Sequence, residues 1–188
     1  MPNKNFYITT PIYYPSGKPH MGHAYSSIVS DVIARFKRLD GYNVEFLTGT
    51  DEHGLKIQRA AEVKGVDTKK FCDEISKTFR NLSDLLNLTN TDFIRTTEER
   101  HIKSAQSLWN KLLENDQIYL SHYEGWYSVR DEAFYQESEL IKNNGKYITK
   151  EGSPVEWVKE ESYFFKLSEW ENKLIDYYES NPDSIAPK

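Results

Sequence analysis

Phe6-Tyr7-Ile8-Thr9-Thr10-Pro11-Ile12-Tyr13-Tyr14-Pro15-Ser16-Gly17-Lys18-Pro19-His20-Met21-Gly22-His23 is the stretch on which the fold turns. An apolar strand, Phe6 to Thr10, passes through a loop of turn residues into a helix that starts at about Gly22. At such a strand-loop-helix junction, free backbone N–H groups and the helix dipole both favour an anion, so α/β proteins hold phosphates there. His20 and His23 bracket Gly22 at that point. Two imidazoles placed there meet the negative charge that develops when a nucleotide phosphate is attacked. His-x-Gly-His by itself recurs by chance, and single histidines are more often core or surface residues, so the surroundings must decide.

Downstream, Ile28, Val29, Val32, Ile33, Phe36 and Leu39 recur at helical spacing, which predicts an amphipathic helix to Asp40 that buries this apolar face. Asn43 to Thr50 reads as a second strand, bounded by Gly41 and Gly49. Strand, helix and strand make a βαβ unit with a parallel, right-handed crossover. The polar loop Asp51-Glu52-His53-Gly54 then lies at the carboxyl end of the sheet, the edge where open α/β sheets bind ligands. Further helices are expected at Lys56 to Lys64, Thr68 to Leu86 and Glu98 to Asn115. From Gln117 to about Phe165 the texture becomes short β-like pieces, 118–120, 125–127, 146–148 and 155–158, separated by Asn143-Asn144-Gly145 and Gly152-Ser153-Pro154 turns. Helical texture resumes at Ser168, with Trp170, Leu174, Ile175 and Tyr178 on one stripe.

A chain of 188 residues has room for one substantial core or two small ones. Its net charge of -5 repels nucleic acid overall, so contact with RNA would have to rely on local basic patches. The one cysteine, Cys72, excludes an internal disulfide and a cysteine zinc cluster, and is expected to be a small buried residue. No apolar run is long enough for a membrane span, and the N-terminus has no signal-peptide core, so the cytoplasm is the expected location.

The signature run resembles the first motif of class I aminoacyl-tRNA synthetases and, within them, the methionyl-tRNA synthetase family. Asp31 to Gly41, Thr48 to Gly54 and Val155 to Ser168 fit the same family in order. The resemblance implies an α/β fold: the first half of a Rossmann-like parallel-sheet catalytic domain (1–116), a small β-rich connective insertion (117–167), and a helix and linker (168–188) leading back towards the catalytic fold. It implies ATP-dependent activation of L-methionine to methionyl-adenylate and charging of tRNA(Met), with Mg2+ accompanying ATP. His20 and His23 would stabilise the phosphates. Gly22 would admit the nucleotide, its structural alternative being tight helix–strand packing. Asp51 would pair with the amino acid's ammonium, the alternative being a loop-capping role. Ile12 and Tyr14 would line the methionine pocket, while Met21 is expected in the core and Glu52 and His53 beside the site.

Many relatives hold zinc with cysteine pairs in the insertion, but Ser128 and Asp131 stand where one Cys-x-x-Cys pair would fall. Serine is a poor zinc ligand, so a metal-free insertion is expected, held by aromatics such as Trp126, Tyr127, Phe134 and Tyr135. Lys142, Lys146, Lys150, Lys159 and Lys166 either track the tRNA acceptor end or form a solvated face. The family's second signature, Lys-Met-Ser-Lys-Ser, and its anticodon-binding domain are missing from this sequence. The chain alone is therefore expected to be weakly active or inactive. Two other classes remain open: a nucleotidyltransferase that does not use tRNA, and a non-catalytic RNA- or protein-binding module.

Overall fold

The computed structural model describes residues 4–143 and 145–186. The chain divides into two compact units, one ending at Ala105 and the other beginning at Gln106.

The first unit is built on three parallel strands in the order β1 (Asn5–Thr9), β2 (Asn43–Thr50), β3 (Asp92–Arg95). Helix α1 (Met21–Leu39) connects the first pair, and α2 (Leu55–Val63) and α3 (Thr68–Leu85) connect the second. The α/β class and the parallel βαβ start are therefore as the sequence predicts, whereas β3 carries too little alternation to be legible in four residues. Phe6 and Ile8 pair in register with Val44 and Phe46, and these side chains pack with Ala34 of α1. The residues that alternate with them, Tyr7 and Glu45, are exposed. A second core gathers Ile57 and Ala61 of α2, Phe71, Cys72, Ile75 and Phe79 of α3, Phe93 of β3, and Tyr13 from the loop after β1. Cys72 is buried, in line with its expected role. At Gly49 the strands come so close that a Cβ would lie 2.0 Å from the Ile94 carbonyl oxygen, so only glycine fits.

Helix α1 corrects one expectation. Its buried residues are Ser27, Asp31 and Ala34, while Ile28, Val29, Val32, Ile33, Phe36 and Leu39 are all exposed. Met21, expected in the core, is 84% exposed. Small side chains let the helix backbone approach the sheet, and Asp31 is inside because it is fully employed there. It accepts from Thr89 N (2.7 Å), Thr89 Oγ1 (2.6 Å) and Arg35 Nε (2.6 Å), which ties α1 to the turn before β3.

Helix α4 (Glu99–Glu114) spans the boundary between the units. The second unit is an antiparallel sheet in the order β5 (Ala133–Tyr135), β4 (Ile118–Ser128), β8 (Glu156–Phe165). A hairpin of β6 (Ile141–Asn143) and β7 (Lys146–Ile148) and a terminal helix, α5 (Glu171–Ser180), complete it. The pieces 118–120 and 125–127, expected as separate strands, are one strand. Their polar break is where polar side chains face each other across the ladder: Glu124 lies opposite Lys159 (3.0 Å) and His122 opposite Glu161 (3.8 Å). Aromatic rings fill the sheet, with Phe134 against Tyr123 and Tyr127 and with Trp126 against Trp157. The stripe of α5 remains exposed at Leu174, Ile175 and Tyr178.

Candidate functional site

The site is assembled where the three parallel strands end. The chain leaving β1 keeps contact with β2: Thr10 N donates to Leu47 O (3.1 Å), Tyr13 N to Gly49 O (2.9 Å), and Asp51 N to Tyr13 O (2.9 Å). This extended course sends Tyr13 inward and Ile12 and Tyr14 the other way. Tyr13 is buried, whereas Ile12 and Tyr14 are 39% and 38% exposed. Lys56 Nζ sits 5.4 Å from the centre of the Tyr14 ring.

His20 is the residue before α1, in extended conformation, and the two histidines cap the helix reciprocally. Gly22 N donates to His20 Nδ1 (3.1 Å) and His20 N donates to His23 Nδ1 (3.1 Å). An Nδ1 that accepts a backbone N–H carries no proton, so each neutral ring holds its proton on Nε2, as a donor directed away from its own cap. The rings lie with centres 3.8 Å apart. Partial burial, and then the neighbouring His20, lower the pKa of His23 from its ordinary 6.5, so it stays neutral further into acid. The first turn of α1 holds no acidic residue, leaving its positive dipole end for an external anion.

Gly22 has a local reason to be glycine: a Cβ there would lie 3.0 Å from Cε1 and 3.1 Å from Nδ1 of His20. With a side chain there, the His20 ring would have to shift by a few tenths of an ångström from its capping position. The structural alternative read from sequence, close helix–strand packing, is thus replaced by close packing against His20.

Tyr13 joins the two halves of the site and was not singled out from the sequence. Its hydroxyl lies 2.9 Å from Ser27 Oγ and donates to His23 O (3.3 Å), and its ring stacks on Phe79 and meets His23 edge-on, at 4.8 Å between centres. Its carbonyl receives the Asp51 amide. The legible signal was the alternation Ile12-Tyr13-Tyr14, in which the middle residue must face opposite its neighbours.

Asp51 is half-buried, and its carboxylate has no hydrogen-bond or ion-pair partner among the described residues. It caps no turn, which removes the loop-capping alternative. Glu52, in contrast, is buried and accepts from Thr50 Oγ1 (2.8 Å), Arg95 Nε (2.7 Å), Arg95 Nη2 (2.9 Å) and Thr97 Oγ1 (2.5 Å). Burial alone would raise its pKa, but the hydrogen bonds from Arg95, Thr97 and Thr50 outweigh it and hold the carboxyl below its usual range. His53 Nε2 lies 3.4 Å from Thr96 O.

Among the described residues, no group of three or more histidine, cysteine, aspartate or glutamate side chains is arranged to hold a metal ion. In the second unit Ser128 and Asp131 bind each other: Ser128 Oγ donates to Asp131 Oδ2 (2.8 Å), and Ser153 Oγ donates to Asp131 Oδ1 (3.1 Å). No helix among the described residues is long and apolar enough to cross a membrane.

Comparison with known proteins places this geometry. Residues 6–188 match the family model of tRNA synthetases class I (M). The chain is 57% identical to the methionine--tRNA ligase of Rickettsia conorii (strain ATCC VR-613 / Malish 7) over 98% of its own length and 36% of that protein. It is 53% identical to that of Rhizobium meliloti (strain 1021), over 97% and 36%. Among solved structures it superposes on Mycobacterium tuberculosis methionyl-tRNA synthetase in complex with methionyl-adenylate with a TM-score of 0.92 at 48% identity, covering 98% of this chain and 36% of that one. The chain thus spans about 36% of the length of the relatives it matches.

Proposed function

Because the chain belongs to the tRNA synthetases class I (M) family, we propose that the protein carrying it activates L-methionine with ATP and charges tRNA(Met). The methionine carboxylate oxygen attacks the α-phosphorus of ATP, the bond to the bridging oxygen breaks, and pyrophosphate leaves as methionyl-adenylate forms. The acyl group then passes to the 3′ end of the tRNA. Such a step needs positioning and charge stabilisation rather than a protein nucleophile.

The observation that carries the reading is the reciprocal cap: His20 and His23 spend Nδ1 on the helix and present Nε2–H to an anion at the α1 N-terminus. Each such donor is worth about 3–4 kcal/mol when it meets charge that grows in the transition state. Gly22 keeps the nucleotide's approach open beside them. Asp51, the unpartnered carboxylate on the same edge, binds the α-ammonium of methionine, and Ile12 and Tyr14 line the side-chain pocket, where an apolar wall and an aromatic ring suit a thioether. Mg2+ enters with ATP as its counter-ion. The protein works in the cytoplasm.

ATP–pyrophosphate exchange tests this on the 188-residue chain alone and on the chain continued through the rest of the Rickettsia conorii relative, with methionine, leucine, isoleucine, valine and cysteine offered separately. The expected result is methionine-dependent exchange in the continued polypeptide, reduced about 100-fold or more by His20→Ala, and weak exchange by the chain alone. Turnover without any amino acid would replace this reading by a nucleotidyltransferase. RNA binding unchanged by His20→Ala, with no exchange, would replace it by a binding module.

A further inference from the structure

We propose that Arg95, acting through Glu52, is the positioning residue that holds Asp51 ready for the α-ammonium of the amino acid; this rests on the function proposed above. The Glu52 side chain is wholly buried, and Arg95 grips it through Nε and Nη2. A buried carboxylate is an expensive way to fill a core, and a buried ion pair stabilises a fold no better than apolar residues of the same shape. Its position makes sense of it, because Glu52 follows Asp51 directly.

The hydrogen bonds of this cluster hold the two residues that flank Asp51, Thr50 and Glu52. On one side Thr50, fully buried at the end of β2, donates its hydroxyl to Glu52 Oε1. On the other, Glu52 N donates to Thr96 Oγ1 (2.8 Å), and Thr97 Oγ1 closes on Glu52 Oε2. Among the described residues Asp51 itself is tied through its amide, to Tyr13 O (2.9 Å), and not through its carboxylate. The result is a carboxylate on a backbone held at two successive amides, those of Asp51 and Glu52, with its own oxygens unspent among the described residues, the arrangement a preorganised ion site requires. Arg95 is anchored in turn by Asp73 of α3, through Nη2 at 2.6 Å.

The charges point the same way. Glu52 and Asp51 are adjacent carboxylates; Arg95 pairs with the buried one and Lys69 pairs with Asp73 (3.2 Å), so the charge left unpaired beside them is that of Asp51. Without the guanidinium, Glu52 would be a buried, unpaired charge. It would take up a proton or leave its place, and either change would move Asp51.

Arg95→Lys keeps the charge and loses the two-pronged grip, while Asp73→Asn keeps an oxygen for Arg95 Nη2 and removes the charge that anchors it. Amide hydrogen exchange on the 188-residue chain should show Asp51 and Glu52 losing protection in Arg95→Lys, with the amides of α1 and β1 unchanged. In the continued polypeptide, Arg95→Lys should raise the methionine KM about tenfold or more and leave the ATP KM within about twofold. It should also leave inhibition by 4-(methylthio)butanoate, which is methionine without its amino group, unaltered. Asp73→Asn, which loosens the anchor of Arg95, should raise the methionine KM in the same direction by a smaller factor. Equal losses for methionine and the des-amino analogue, or a uniform fall in protection and melting temperature with the methionine KM unmoved, would reduce Arg95 to a structural ion pair and overturn the proposal. Absence of methionine-dependent exchange in the unsubstituted polypeptide would instead strike the function reading, and with it the ammonium role given to Asp51.

Discussion

At the scale of single residues, His20 does two separable things: Nδ1 caps α1 and Nε2 faces outward. Asparagine caps helices well but cannot reach as far, so His20→Asn should leave the melting temperature close to that of the unsubstituted protein and still lose about 100-fold in exchange activity. His20→Ala should lose the activity and also about 1 kcal/mol of stability, as thermal denaturation would show. Nitrogen-15 NMR of the rings should find both histidines protonated at Nε2 near neutral pH; a proton at Nδ1 of either would contradict the reciprocal cap. The sign of the pH dependence follows from the lowered pKa of His23. The unfolded chain takes up the proton first, so the cap's contribution is complete above the ordinary value of 6.5 and is lost as pH falls through the lower folded value. Glycine matters twice, at Gly22 and Gly49, and for contact rather than for backbone freedom. Gly49→Ala should cost about 3 kcal/mol or prevent folding, because backbone rather than a mobile side chain blocks the new methyl. The His-x-Gly-His spacing and the Asp51 loop were legible because they are contiguous. Arg95 was not, because it meets Glu52 across 43 residues of chain.

The extents of α1, β2 and α3 lie close to those the sequence predicts. The ribbon of β4 and β8 was misread in pieces, since its middle is polar on both strands and is stabilised by the pairs Glu124–Lys159 and His122–Glu161. Those contacts exist only once the strands are in register. The turns at its far end depend on Asp131, whose pKa the hydrogen bonds from Ser128 and Ser153 lower. The contribution of Asp131 is present above the unfolded carboxyl value and lost as pH falls through the lower folded one. Asp131→Asn should therefore lower the amide protection factors of Gly152 and Ser153, near neutral pH, to the level the unsubstituted chain shows only in acid. No change at these two amides would show that the buried hydroxyls of Ser128, Thr149 and Ser153 hold the turns without the carboxylate.

For the molecule as a whole, the decisive fact is that α1 turns small and polar residues to the sheet and leaves Val32, Phe36 and Leu39 exposed at 60%, 61% and 89%. The face of the sheet that carries Tyr7 and Glu45 is open as well, which is unusual for parallel strands. Apolar surface of this kind binds hydrophobic dyes and promotes association. The 188-residue chain should scatter light increasingly with concentration, and Val32→Lys with Phe36→Lys should suppress this without lowering the melting temperature. A fall in melting temperature would mean that the stripe is packed in solution. By itself, the sequence determined the βαβ beginning, the capped helix with its paired histidines, the acidic loop at the sheet edge and the family, because each is written in neighbouring residues or in a short period. Only the tertiary structure decided which face of α1 is inside, that Tyr13 bridges His23 and Asp51, and that Arg95 neutralises Glu52. Hydropathy records what a side chain is, whereas burial and hydrogen-bond partnership depend on what distant parts of the chain bring against it.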